Sequence, residues 1–271
     1  MKTIYSHSRL SSFEQCPLKF KFRYIDKIVP DIKQTIEGFL GNQVHDVLEW
    51  IYIERKKEIT VELDDVIRLF SQNWHKKYAD DIKVVKDDMT AEDYYNLGIK
   101  FLIDYYFKNQ PFKDNTIATE LRILIDLDEN KKYQMQGYID RLVHNKDNNV
   151  FEIHDYKTSN SMKSQKDLDK DRQLALYSLG IRDKYPNATD VHLIWHYLAF
   201  NKKMKSSRTI GELDTLKQEL IKLIDEIESA TEFPPKTSCL CRWCEFQSNC
   251  PEMKKEIIHK DTIDANDCKL D

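Results

Sequence analysis

Three consecutive runs of period-two alternation between residues 117 and 157 constrain this chain more than any other feature. The turns that join them are too short for anything but an antiparallel meander. Ile117 to Leu127 sets Leu121, Ile123, Ile125 and Leu127 on one face; Tyr133 to Val143 follows the polar turn DENKK, and Val150 to Lys157 follows KDNN. Spacing then turns helical over 167–184, with Leu168, Leu174, Leu176, Leu179 and Ile181. Val191 to Phe200 reads as a buried fourth strand reached by that crossover. Ahead of the meander the first sixty residues read as helical, from the three- and four-residue spacing of Leu10, Phe13, Leu40, Val44, Val47, Leu48 and Ile51, and 62–109 continues so. A last helix spans Leu213 to Ser229.

The expectation is an α/β fold, a mixed sheet core flanked by helices, in one domain. Its helical part covers 1–110, the core 111–230, a cysteine segment 231–252 and a polar tail 253–271. With 41% hydrophobic and 32% charged residues, 6 Gly and 7 Pro, collagen-like and disordered classes are excluded. A net charge of −4 excludes a strongly basic coat but leaves room for a local basic groove. The polar N-terminus and the lack of any apolar run near 20 residues point to a cytoplasmic protein with no membrane span.

Chemistry-bearing residues fall on these elements in order. In FEIHDYKTS, Asp155 and Lys157 project from one sheet face, and a short turn brings Asp140 of the neighbouring strand beside them. Two carboxylates next to a lysine suit a hard divalent cation, Mg2+ or Mn2+, with the lysine orienting or deprotonating a water. GNQVHDVLEW spaces Gly41, His45 and Glu49 along one helix face, so Gly41 permits close approach and His45 offers an imidazole to a metal. On the crossover helix Gln173 and Tyr177 lie four apart, an amide and a phenol able to touch a nucleotide or steady the site. Glu120 looks like a charged residue at a strand flank, while Arg141 and His154 alternate away from the aspartates. Taken singly, each pattern is also what a surface ion pair, a packed histidine or a polar helix stripe looks like.

Of six cysteines, at 16, 239, 241, 244, 250 and 268, four fall within twelve residues, which points to a metal or cluster and not to bridges. Cys241-x2-Cys244-x5-Cys250 needs a fourth thiolate from Cys239, Cys268 or Cys16, and spacing alone leaves zinc and an iron-sulfur cluster both open.

The ordered set Gly41 to His45, Gly137 to Asp140, Asp155-Tyr156-Lys157-Thr158 and Gln173 to Tyr177 resembles the RecB-type branch of the PD-(D/E)XK nuclease superfamily, which includes CRISPR-adaptation nucleases. The resemblance covers nearly the whole chain. It implies a restriction-endonuclease-like core, with metal held by His45, Asp140 and Asp155 and the attacking water served by Lys157. The segment HSRLSSFEQCPLKFKFRY resembles the early cysteine motif of the iron-sulfur members. That implies a 4Fe-4S cluster on Cys16, Cys241, Cys244 and Cys250, a clasp joining the chain's ends, with a zinc site as the alternative. The implied activity is a metal-dependent DNA nuclease, an exonuclease preferring single strands, in repair, recombination or CRISPR spacer processing. KSQKDLDKDR (163–172) and KKMKSSR (202–208) are candidate backbone contacts, with solvated loops as the plainer reading. Two further readings stand: a non-catalytic nucleic-acid-binding scaffold, or a nuclease subunit beside a helicase or integrase. The chain has no G-x4-G-K-[ST] segment, so a helicase motor would be another protein.

Overall fold

A computed structural model describes residues 3–256. The elements are β1 (Ile4–Ser6), α1 (His7–Gln15), α2 (Pro17–Phe20), α3 (Ile36–Lys56), α4 (Leu63–Lys77), α5 (Ala91–Asn109), β2 (Thr116–Asp126), β3 (Gln134–Asn145), β4 (Val150–Lys157), α6 (Gln165–Leu168), α7 (Arg172–Lys184), β5 (Asp190–Tyr197), β6 (Lys202–Ser207), α8 (Ile210–Ser229) and α9 (Pro251–Glu256). Side-chain chemistry sets their limits. Ser6 and Thr35 accept from the first-turn backbones of α1 and α3, and Thr90–Asp93 and Thr209–Glu212 close capping boxes on α5 and α8.

The sheet runs β1-β3-β4-β5-β6, with β2 along the other edge of β3. The β2–β3–β4 meander is antiparallel as expected, β5 joins β4 in parallel through the α7 crossover, and β6 returns antiparallel to β5. Each face carries its own core. One gathers Ile123, Ile125, Met135, Ile139 and Ile153 with α7 and α8; the other packs α3, α4 and α5 around Val44, Leu48, Phe70, Phe101 and Leu102, reaching Tyr156. No helix among the described residues is long and apolar enough to cross a membrane.

Several boundaries differ from the sequence reading. β1, three residues paired in parallel with 134–136, is too short to show a period. Of the stretch 202–208, residues 202–207 are not a loop but edge strand β6, whose lysines face water and so hide its alternation; lysines of this kind also discourage edge-to-edge pairing. Arg208 is buried, donating to the carbonyls of Leu168 and Asp171. Helix 62–109 is two helices, and the fourth strand ends at Tyr197 in a 3-10 turn over Leu198–Phe200. Phe13 and Phe20 are core residues, in edge contact at 5.4 Å.

Candidate active site

The site forms where the meander comes apart. β3 and β4 pair only between Arg141↔His154 and Asn145↔Val150, so beyond His154 the strands diverge. Asp140 fills the fork, its Oδ2 accepting the Tyr156 backbone N–H at 2.8 Å. On β4, Lys157 Nζ lies 2.9 Å from Asp155 Oδ2 and donates to Asp155 Oδ1 at 3.2 Å and to Gln173 Oε1 at 3.1 Å. Gln173 Nε2 donates back to Asp155 Oδ1 at 3.4 Å. The start of α7 fixes that amide, because the N-cap Asp171 accepts the Gln173 backbone N–H at 2.9 Å.

His45 reaches the fork from α3. Its Nε2 lies 2.8 Å from the Tyr156 carbonyl, which can only accept, so Nε2 carries the proton. Nδ1, 3.5 Å from Asp140 Oδ2, therefore keeps its lone pair for a metal. Glu120, which the sequence reading set aside, completes the group: His45, Glu120 and Asp140 each offer a ligand atom within 4.8 Å of the others. Glu120 has φ 44°, a left-handed backbone that costs a non-glycine residue free energy and is most often retained where function needs it. One imidazole nitrogen and two carboxylates suit Mn2+ or Mg2+. Asp155 stands beside this group, and its charge is felt at Asp140.

Partial desolvation of the Glu120 carboxyl, on a residue that still reaches water, lifts it to about 7, and the Asp140 charge adds to the shift. Asp140 rises to about 6, through burial opposed by His45 and reinforced by Asp155. Burial works against the Lys157 ammonium, but the Asp155 carboxylate, their hydrogen bond and Asp140 outweigh it, and the pKa rises above the lysine range. A carboxyl whose folded pKa is raised stabilises the fold fully below its unfolded value, and that contribution is lost as pH rises through the folded value. The metal-free protein thus loses stability from these two groups between about pH 4 and 7. A divalent cation binds the carboxylate forms and offsets the loss. Thermal melts should show Mn2+ raising Tm by several degrees at pH 8 and far less at pH 5; equal shifts at both would contradict this site.

The glycines of the motifs have separate reasons. A Cβ on Gly137 would lie 2.1 Å from the buried Tyr177 ring, so only glycine lets α7 settle on β3 there. A Cβ on Gly41 would meet Thr158 Oγ1 at 3.4 Å. Gly137→Ala should lower stability by ~1–3 kcal/mol, the cost of overpacking, readable as a fall in Tm.

Arg141 and His154 face away from the aspartates, as alternation predicts. Arg141, buried, donates to the Tyr156 hydroxyl at 2.8 Å, pairs with Asp114 and lies 2.7 Å from His154 Nδ1, which in turn lies 2.8 Å from His196 Nε2. This polar cluster stiffens the back of the strand that carries Asp155 and Lys157.

Segments 16–31 and 234–250 meet beside the site. The Leu18 N–H donates to the Pro234 carbonyl at 3.3 Å, Asp31 N–H to the Glu245 carbonyl at 2.8 Å, and Lys19 and Arg23 both pair with Glu245. Cys16, Cys241, Cys244 and Cys250 are in no disulfide, whereas Cys239 is disulfide-bonded, against the expectation that none of the cysteines would bridge; Cys268 lies outside the described residues. Backbone N–H groups of Lys236 and Ser238 donate to the sulfurs of Cys16 and Cys241 at 3.4 Å, an arrangement that suits anionic thiolates. Burial pushes the Cys244 thiol up, a cost that metal coordination would remove.

Two cavities flank the site. One, about 600 Å3, opens at Lys157 and Gln173 and is lined by His7, Ser11, Lys163 and Arg172. The other, about 620 Å3, is walled by Leu40, Tyr94, Phe101, Trp243 and Phe246. They share Lys19, Arg23 and Ser159 as lining residues, so the two lie side by side past the end of β4.

With this geometry in place, similarity to known proteins is decisive. Residues 4–251 match the PD-(D/E)XK nuclease superfamily. The chain belongs to that superfamily. It is similar to the Gene 69 protein of Mycobacterium phage D29, at 24% identity over 92% of this chain and 97% of the phage protein. Its fold is shared by a crystal structure from Eubacterium rectale named "Putative exonuclease", with TM-score 0.53 and 12% identity over 98% of this chain and 92% of the other. The superfamily's mixed sheet and its divalent-metal chemistry agree with the six-stranded sheet and with the His45, Glu120 and Asp140 group.

Proposed function

We propose that this protein is a metal-dependent deoxyribonuclease acting as an exonuclease on single-stranded DNA. The observation that carries the reading is the convergence of His45, Glu120 and Asp140 on one point, with the Lys157–Asp155 pair alongside. His45 Nδ1, Glu120 and Asp140, with Asp155 beside them, would hold Mg2+ or Mn2+. The ion, when bound, supplies Lewis-acid polarisation of the phosphodiester and neutralises charge on its oxygens. Lys157, held as an ammonium, donates to the phosphate or to the attacking water and orients it. Gln173 fixes Lys157 by accepting from Nζ, and Tyr177 fixes α7 by its seat on Gly137. The two neighbouring cavities would supply the strand's path, with Lys19, Lys163 and Arg172 toward phosphates and the aromatics of the second cavity toward bases. The same reading assigns a 4Fe-4S cluster to Cys16, Cys241, Cys244 and Cys250, with a structural role at the clasp. A broad visible absorbance that bleaches on reduction supports it, and a colourless zinc protein overturns it.

DNA labelled at either end, single- and double-stranded, with Mg2+, Mn2+ or chelator, tests the activity. Metal-dependent shortening from one end of single strands supports the reading. Cutting confined to internal positions overturns the exonuclease mode, and intact protein that binds but never cuts DNA favours the scaffold.

A further inference from the structure

Two residues beside the carboxylates have no part in the chemistry above. Tyr138 and Arg122 are cross-strand partners on β3 and β2, so their side chains share a sheet face. Each stands two residues from a candidate ligand, Tyr138 from Asp140 and Arg122 from Glu120, about 7 Å along the strand. Their neighbours Ile123, Gly137 and Ile139 point the other way, into the α7 side, where Gly137 meets Tyr177. Helix α3 meets this part of the sheet at its Asp140 end, through His45 on Asp140 and Glu49 accepting from Thr119, and leaves Tyr138 uncovered at 53% exposure. Tyrosines 52, 105, 156 and 177, by contrast, are buried. Arg122 donates to Gln136 Oε1 at 2.8 Å, and among the described residues no carboxylate forms an ion pair with it. A water-exposed ring next to an uncompensated guanidinium, continuous with the carboxylate group, is the donor set that single-stranded nucleic acid requires.

We propose that Tyr138 and Arg122 form a stacking platform for the nucleotide adjoining the cleaved phosphodiester, the base lying on the Tyr138 ring and Arg122 contacting its phosphate. The inference rests on the nuclease reading and deepens it. A base inside a duplex has both faces occupied by its neighbours, so away from a duplex end only an unpaired base can offer a face to Tyr138. The platform would thereby select single strands at the point of cutting, without reading sequence.

The test uses the full chain with Tyr138→Ala, Tyr138→Phe and Arg122→Gln, and measures affinity for a single-stranded oligonucleotide in Asp155→Ala protein and KM for its cleavage in active protein. Stacking of one base on an aromatic ring corresponds to roughly 5- to 150-fold in affinity. Tyr138→Ala should weaken binding within that range and raise KM, whereas Tyr138→Phe, which keeps the ring, should match the parent. One abasic nucleotide, walked along the strand, should erase the difference between parent and Tyr138→Ala at a single position. Arg122→Gln should lower the salt dependence of binding by about one phosphate contact. Tyr138→Ala with the parent's affinity and KM, or Tyr138→Phe as weak as Tyr138→Ala, overturns the platform and leaves the nuclease intact. A change of oligomeric state on Tyr138→Ala with unaltered DNA affinity would make this face a subunit contact, which also overturns it. A parent that neither binds nor cuts DNA overturns the nuclease reading and the platform together.

Discussion

Replacing Lys157 with alanine should slow DNA cleavage about 10²- to 10⁴-fold under single-turnover conditions, the usual range for losing a group that stabilises developing charge or handles a proton. The side chain is held from three directions, by both oxygens of Asp155 and by Gln173 Oε1, so its ammonium occupies one defined place. Arginine should not rescue it, because a planar guanidinium cannot take the position of Nζ between an amide and a carboxylate. Asp155, only 5% exposed, loses its partner in the variant, so some stability goes too, and rates should be compared well below its Tm. Gln173→Ala should lower the rate far less, since it frees Lys157 without removing it. A Lys157→Ala rate within threefold of the parent would remove the lysine from the chemistry.

The second large effect concerns the clasp. If Cys16 is a ligand of the proposed cluster, Cys16→Ser should abolish iron incorporation and lower Tm by ~4–20 °C, from the ~2–5 kcal/mol expected of a lost crosslink and ~2–4 °C per kcal/mol for a chain of this size. The link would close the long loop from Cys16 to Cys241, where unfolded-chain entropy is most restricted. The clasp has other fastenings, including Glu245 with Lys19 and Arg23, Ser248 with Asp31, and Phe22 against Phe246. The variant should therefore stay folded but become sensitive to proteolysis in 231–250. Iron content and limited digestion together check this; unchanged iron would take Cys16 out of the ligand set.

Much of the fold was legible because the meander's period, turn lengths and crossover helix all agree. Elements without a pattern of their own were not: β1 is too short to alternate, and β6 carries Met204 as its one apolar side chain. At the site, alternation alone placed Asp155 beside Lys157 and turned Arg141 and His154 away. Glu120 was missed by judging its strand in isolation. A hairpin centred near Asn130 sets residues ten before and ten after opposite each other, and the observed pairs Thr119↔Arg141 and Leu121↔Ile139 bracket Glu120 against Asp140. That count was available from the turn DENKK. The left-handed backbone at Glu120 was not, because nothing in a glutamate's chemistry announces it.

The most direct measurement titrates Mn2+ calorimetrically into parent, Asp140→Asn and Glu120→Gln proteins and follows cleavage of one end-labelled single strand by each. If the fork is the metal-dependent catalytic site, the parent binds Mn2+ and cuts, Asp140→Asn loses binding and cutting together, and Glu120→Gln binds the ion at least tenfold more weakly. Cleavage that persists in Asp140→Asn, or in the parent under chelator, would contradict the account.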